Sequence, residues 1–187
     1  MDNSAEQNIL ENERDIVERA KKDDHAFEML YNHYFPKIYG YIFKRVGNHS
    51  VAEDIVSITF MKVLVNIKGY EHRGHTFGAW VYRIATNNLT DYYRKRVHNK
   101  DVDIGEAQEI QDHRAGPEEQ VVQLENRQHI EIILKKLSKR YQHVLHLKFF
   151  AELSISEISA ALSISENNAR VLLHRALKQF RREYEKD

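Results

Sequence analysis

Apolar residues recur at three- and four-residue steps along nearly all of this 187-residue chain, and only 7 Gly and 2 Pro stand in the way. That pattern predicts an all-α protein. From Ala26 to Val46 the stripe runs through Phe27, Leu30, Tyr31, Tyr34, Phe35, Ile38, Ile42 and Phe43, with Pro36 expected to kink the helix by removing one backbone donor. Gly47-Asn48 signals a stop, and the pattern restarts from Val51 to Ile67, closing at Gly69. A polar stretch, residues 70–76, then leads into a third helix with Phe77, Trp80, Val81, Ile84, Ala85 and Leu89 on one side and Arg94-Lys95-Arg96 at its far end.

The periodicity lapses from Val97 to Gly116, a polar segment that includes Asp101, Asp103, Glu106, Glu109 and Asp112 and reads as a flexible acidic tether. Pro117 suits the first position of a new helix, and Ser138 suits the cap of another that reaches Phe149. Ser154 and Glu157 have the spacing of a reciprocal cap that opens a short helix to Leu162. After a turn at Ser163-Ile164-Ser165, a last helix runs from Glu166 to about Tyr184. Two small helical domains are therefore expected, residues 5–96 and 117–184, joined by a linker at 97–116.

Charge is sorted along the chain although the formal total is zero. Residues 1–36 carry −5, 37–100 carry +7, 101–131 carry −7 and 132–187 carry +5. Basic blocks gain free energy by releasing counterions from a phosphate backbone, whereas an acidic tether stays solvated and avoids the same polyanion. Cysteine is absent, which excludes disulfides, thiolate metal sites and thiol nucleophiles and is compatible with a reducing cytoplasm. No run of about 18 apolar residues occurs, and the acidic opening MDNSAEQNILENERD lacks the basic-then-apolar order of an export signal. His72/His75 and His143/His146 are spaced like metal-ligand pairs but bring no third ligand, so no metal or other cofactor is expected. No nucleophile-elbow, zinc-protease or phosphate-loop motif is present, and neither catalysis nor a small-molecule substrate is expected.

The last two helices have the spacing of a helix-turn-helix, in which the first braces and the second enters the major groove. Ile158, Ala161, Leu162, Ile164, Ala169, Leu172 and Leu173 suit the core between them, leaving Asn167, Asn168, Arg170, His174 and Arg175 for base edges and phosphates. In the N-terminal half, His72, Arg73 and His75 in the loop and Arg83, Asn87, Tyr92, Arg94, Lys95 and Arg96 on the following helix offer the cations, amides and aromatics that hold unpaired bases and backbone. Trp80 lies on the apolar stripe and fits a core role as well as base contact. Glu53, Asp54, Ile58 and Phe60 supply acidic and apolar anchors for a protein partner.

Taken in order, these segments resemble the extracytoplasmic-function group of bacterial RNA polymerase sigma factors over nearly the whole chain. AFEMLYNHYFPKIYGYIFKRVGN is similar to the family's first region-two helix, and VAEDIVSITFMKVL to its signature for docking on the polymerase clamp, most clearly at Asp54 and Phe60. FGAWVYRIATNNLTDYYRKR resembles the stretch that melts and reads the minus-ten element, and retains Phe77, Trp80, Arg83, Ile84, Ala85, Asn87 and Asp91. The segment from Leu137 to Arg182 resembles region four, whose helix-turn-helix reads the minus-thirty-five element. The resemblance implies core RNA polymerase and promoter DNA as partners, a cytoplasmic, nucleoid-associated place of work, and an anti-sigma factor, often membrane-anchored, that wedges between the domains. Ser57-Ile58 stands where the family usually has Gln-Glu, so an apolar contact replaces a polar one in this expectation. Asn167-Asn168-Ala169-Arg170-Val171 also departs from the family's usual recognition helix, and the DNA sequence it reads is not carried over. Two alternatives share the fold: a helix-turn-helix regulator that binds DNA without polymerase, and a sigma mimic that titrates a regulator.

Overall fold

A computed structural model of the chain describes residues 3–72, 74–98 and 129–186, with side chains for 12–72, 74–96 and 129–186. Arg73, the tether from residue 99 onward and the helix start at Pro117 lie outside the described residues. Those that are described form helices and short connections with no strand, in two compact units.

The N-terminal unit contains α1 (Asn3–Ala20), α2 (Asp24–Val46), α3 (His49–Asn66), a 3-10 turn at Ile67–Gly69, and α4 (Phe77–His98). Sequence periodicity missed α1, whose described part offers the core only Ile16, Val17 and Ala20. α2 is the central element and packs against α1, α3 and α4. It buries Ala26, Leu30, Tyr34, Ile38, Tyr41 and Ile42, which explains its apolar stripe. Pro36 is exposed and does not end the helix, since α2 continues ten residues beyond it to Val46. α2 stops at Gly47, whose φ of 64° is left-handed and whose N–H donates to the Phe43 carbonyl at 2.9 Å, a conformation that glycine takes without a Cβ penalty. Asn48 then caps α3 by accepting from the Val51 N–H at 3.1 Å. α4 runs through Val97 and His98, two positions assigned to the tether on sequence.

The C-terminal unit contains a helical segment at 129–136 (α5), α6 (Lys139–Phe149), α7 (Ile155–Leu162) and α8 (Glu166–Tyr184). Ser138 caps α6 at the expected place. Ser154 and Glu157 cap α7 reciprocally: the Ser154 N–H donates to the Glu157 carboxylate at 2.9 Å, and the Glu157 N–H to the Ser154 hydroxyl at 3.2 Å. Ser165 caps α8. α6 packs against α8, around a core of Ile133, Leu134, Leu137, Val144, Leu145, Leu147, Leu153, Ile158, Leu172 and Ala176. Two residues bearing side chains, Glu152 (φ 56°) and Ser163 (φ 53°), take left-handed conformations at either side of α7.

Candidate functional site

Three faces gather the residues expected to act. The first is on α3. One side of this helix buries Ala52, Ile55, Val56, Thr59, Phe60 and Val63. The other carries Asp54, Ile58, Met61 and Val65 at steps of four, three and four residues, which puts them in one line along the helix. All four are exposed, Met61 at 64% and Val65 at 70%, and Glu53, Ser57 and Leu64 are exposed as well. Glu53, Asp54 and Ile58 are thus available to a partner as expected. Phe60 is not: at 6% exposure it packs between Tyr31, 4.8 Å between ring centroids, and Phe35, 6.1 Å away, so it supports the face from within. Leu64 reads on sequence as part of the apolar stripe, and Met61 and Val65 went unmarked, because the helix is apolar on more than one side. The usable signal was the surplus: α3 has more apolar residues than one buried side can hold.

The second face belongs to α4 and the loop before it. His72 is exposed and His75 half-buried, while Gly74 turns the loop with a φ of 79°. The Tyr70 hydroxyl donates to the His75 carbonyl at 3.3 Å, and burial, with Glu13 and Glu18 nearby, pushes the Tyr70 phenol up to about 12. Arg83, Asn87 and Arg94 are exposed along one line of α4, with Asp91 between them pairing to Arg94 at 3.1 Å. Trp80 continues this line. It is half-buried against Tyr70 (4.9 Å) and Phe77 (5.3 Å), so its two possible roles meet in one side chain, part packed and part open. Lys95 is exposed, whereas Tyr92 and Arg96 lie on a different side of the helix, where the Arg96 guanidinium donates to the Tyr92 hydroxyl at 3.4 Å.

Buried polar ties fix this helix against its neighbours. Asn88 accepts from the Lys62 ammonium and donates to the Thr59 hydroxyl at 2.9 Å, and Thr59 donates to the Ile55 carbonyl at 2.7 Å. The Tyr41 and Thr86 hydroxyls bond at 2.9 Å, and the Tyr93 hydroxyl donates to the Arg45 carbonyl at 2.6 Å. The Arg45 guanidinium lies 4.8 Å from the Tyr41 ring centre; burial lowers its pKa, and Tyr41 and Tyr93 oppose the shift. A face held by these ties and carrying one aromatic, an amide, two guanidiniums and one carboxylate has the stacking and cationic groups that can bind an unpaired base and its phosphates.

The third face is the outer side of α8. Ala169, Leu172 and Ala176 are buried; Asn167, Arg170 and His174 are exposed on the opposite side, and Asn168 and Arg175 are exposed on a flank, in line with Leu172. Arg170 pairs with Glu166 at 3.2 Å. Val171, 40% exposed, and Lys178 share this side and were missed on sequence. Of the residues expected to close the core between α7 and α8, Ile158, Ala161, Ala169 and Leu172 are buried, and Leu162, Ile164 and Leu173 are half-buried. The turn closes through Ile164 N–H to the Ser159 carbonyl at 3.0 Å.

Among the described residues, no group of three or more His, Asp or Glu is placed to hold a metal ion. His146 is buried and bonded to the Gln142 carbonyl at 2.8 Å, which is a packing role. No described helix is long and apolar enough to cross a membrane.

Comparison with known proteins agrees with this geometry. Residues 30–98 match the family described as Sigma-70 region 2, and residues 128–180 match Sigma-70, region 4. The chain is 32% identical over 176 residues to the ECF RNA polymerase sigma factor SigW of Bacillus subtilis, covering 90% of this chain and 94% of that one. It is 30% identical over 169 residues to the ECF RNA polymerase sigma factor BldN of Streptomyces coelicolor, covering 90% of this chain but 64% of BldN. In fold it is similar to the sigma factor RpoE of Bartonella quintana, solved with the anti-sigma factor NepR, with a TM-score of 0.68 at 21% identity over 86% of this chain and 98% of that one. CnrH, solved with the cytosolic domain of CnrY, gives a TM-score of 0.67 at 20% identity over 93% of this chain and 97% of that one. With a region-2 unit, a region-4 unit and a relative matched almost end to end, the chain belongs to the ECF group of RNA polymerase sigma factors.

Proposed function

We propose that the three faces divide the work of promoter-directed initiation. The α3 line of Asp54, Ile58, Met61 and Val65, flanked by Glu53 and Leu64, docks on core RNA polymerase. The loop at 72–76 and the α4 line of Trp80, Arg83, Asn87 and Arg94, with Lys95, Tyr92 and Arg96 beside it, open and hold the minus-ten element. Asn167, Asn168, Arg170, His174 and Arg175 on α8 read the minus-thirty-five duplex. RNA synthesis itself is the polymerase's chemistry, and the chain works in the cytoplasm where that enzyme is. An anti-sigma factor, as named in the RpoE complex similar in fold, is the natural competitor for the α3 face.

The observation that carries this reading is the exposed apolar line on α3. A DNA-only regulator needs no such face, and leaving it in water is unfavourable unless a protein covers it. Replacing Met61 by Asp is expected to weaken binding to core polymerase by about 30-fold or more, as for a central interface anchor, without changing the fold. Run-off transcription from genomic promoters with core polymerase checks the whole assignment. Equal promoter affinity with and without polymerase would favour the DNA-only regulator, and transcription unaffected by combined loss of Arg94, Arg170 and Arg175 would favour the mimic.

A further inference from the structure

The family match begins at residue 30, so α1 lies outside it, yet α1 supplies a side chain to the start of the minus-ten helix. Glu13 reaches across 64 residues of sequence and accepts from the Phe77 N–H at 3.1 Å and the Gly78 N–H at 3.4 Å. These are two of the four backbone donors that a helix leaves unpaired at its N-terminus. Thr76 takes a third, its hydroxyl accepting from the Ala79 N–H at 3.2 Å, and its carbonyl accepts the first bond of the helix proper from the Trp80 N–H at 3.3 Å. The Phe77, Gly78 and Ala79 donors of the first turn of α4 therefore all have partners, two of the three on α1.

The carboxylate is itself held by the Tyr34 hydroxyl of α2. Burial and the adjacent Glu13 charge raise the Tyr34 pKa, so Tyr34 stays a donor. The ring sits so near α4 that a Cβ on Gly78 would fall 2.8 Å from it, and only glycine lets the three helices meet here. Directly after this junction come Trp80, Arg83 and Asn87, and directly before it comes the loop with His72 and His75.

We propose that α1 is a positioning element for promoter opening, with Glu13 as the positioning residue that sets the first turn of α4 and the loop before it. The inference rests on α4 being the minus-ten helix. It distinguishes opening from docking, because Glu13 is on neither the α3 line nor α8.

The test uses the full chain with core polymerase and a promoter carrying a fluorescent base in the minus-ten element. Glu13→Gln, which loses the charge and one acceptor, is expected to slow opening of duplex promoter about tenfold, the scale of a lost cap and a misplaced contact. Affinity for core polymerase is expected to stay within about twofold, because the sites are independent. A promoter with a mismatched, already open minus-ten element is expected to recover most of the rate. Tyr34→Phe keeps the carboxylate but frees it, and gives a smaller loss in the same direction; it carries the test alone if Glu13→Gln loses helical signal. Unchanged opening by both variants, or loss of polymerase affinity in parallel with opening, overturns the inference. Failure of the unaltered chain to open any promoter brings down the reading of α4 as well, whereas normal opening by that chain and by both variants overturns this inference alone.

Discussion

The two units are held together by different physics. In the N-terminal unit, hydrogen bonds tie residues far apart in sequence: Lys62 to Asn88, Asn88 to Thr59, Tyr41 to Thr86, Tyr93 to Arg45 and Glu13 to Phe77. In the C-terminal unit the polar ties described above are local caps and turns, and apolar packing joins the helices. Directional long-range bonds fix the angle between helices more sharply than apolar contact does, at the risk of a large loss if one partner is removed. That suits the proposed roles, in which the N-terminal face meets an unpaired strand and the C-terminal unit presents one well-capped helix to a duplex.

The sharpest way to separate the units is alkali. Tyr34, Tyr41, Tyr70, Tyr82 and Tyr93 all have raised pKa values, chiefly through burial, and all lie in the N-terminal unit. A raised phenol stays protonated in the fold and ionises sooner in the unfolded chain. Its contribution is therefore whole below about pH 10, and it is lost as pH climbs toward the folded value, about 12 for Tyr70. The N-terminal unit is expected to unfold cooperatively in that window, with tyrosinate absorbance rising in one step; gradual independent titration of each phenol would contradict the difference drawn between the units.

Next in size is Asn88→Ala, which deletes a buried side chain that accepts from the Lys62 ammonium and donates to the Thr59 hydroxyl, leaving Thr59 only its bond to the Ile55 carbonyl. A loss of about 2–3 kcal/mol in denaturant unfolding of the N-terminal unit is expected. The C-terminal counterpart, Ser154→Ala, removes one local cap and should cost about 1 kcal/mol in that unit alone. If the two losses were equal, the long-range ties would be no different in kind from caps. The smallest effect has the opposite sign: Ser163→Gly relieves a left-handed side-chain residue and is expected to raise the stability of the C-terminal unit by up to about 1 kcal/mol in thermal melts.

This division also marks where the sequence was legible. Helix ends written in local chemistry were readable, as at Gly47-Asn48, Ser138 and the Ser154/Glu157 pair. Most of the exposed residues of α8 were readable too, although Val171 and Leu177 are apolar and exposed and Leu173 is only half-buried. What escaped depends on tertiary neighbours. Of the adjacent Asn87 and Asn88, only the fold decides that the second turns inward to Thr59. Arg45 is a charge in the core, held against Tyr41, and nothing in its own segment announces that. Phe60 and Met61 look equally apolar in sequence, yet one is core and the other exposed, since both sides of α3 are greasy. α1 went unseen because its described part contributes only three residues to the core.

Eight residues make too short a helix to persist by themselves. α7 has that length and is clamped at its two joints by Glu152 and Ser163, so its tilt is set by backbone torsion at two points and hardly by what its surface carries. In the proposed role of α8, substitutions among its outward residues would then change DNA preference while leaving the turn that sets the start of the helix as it is.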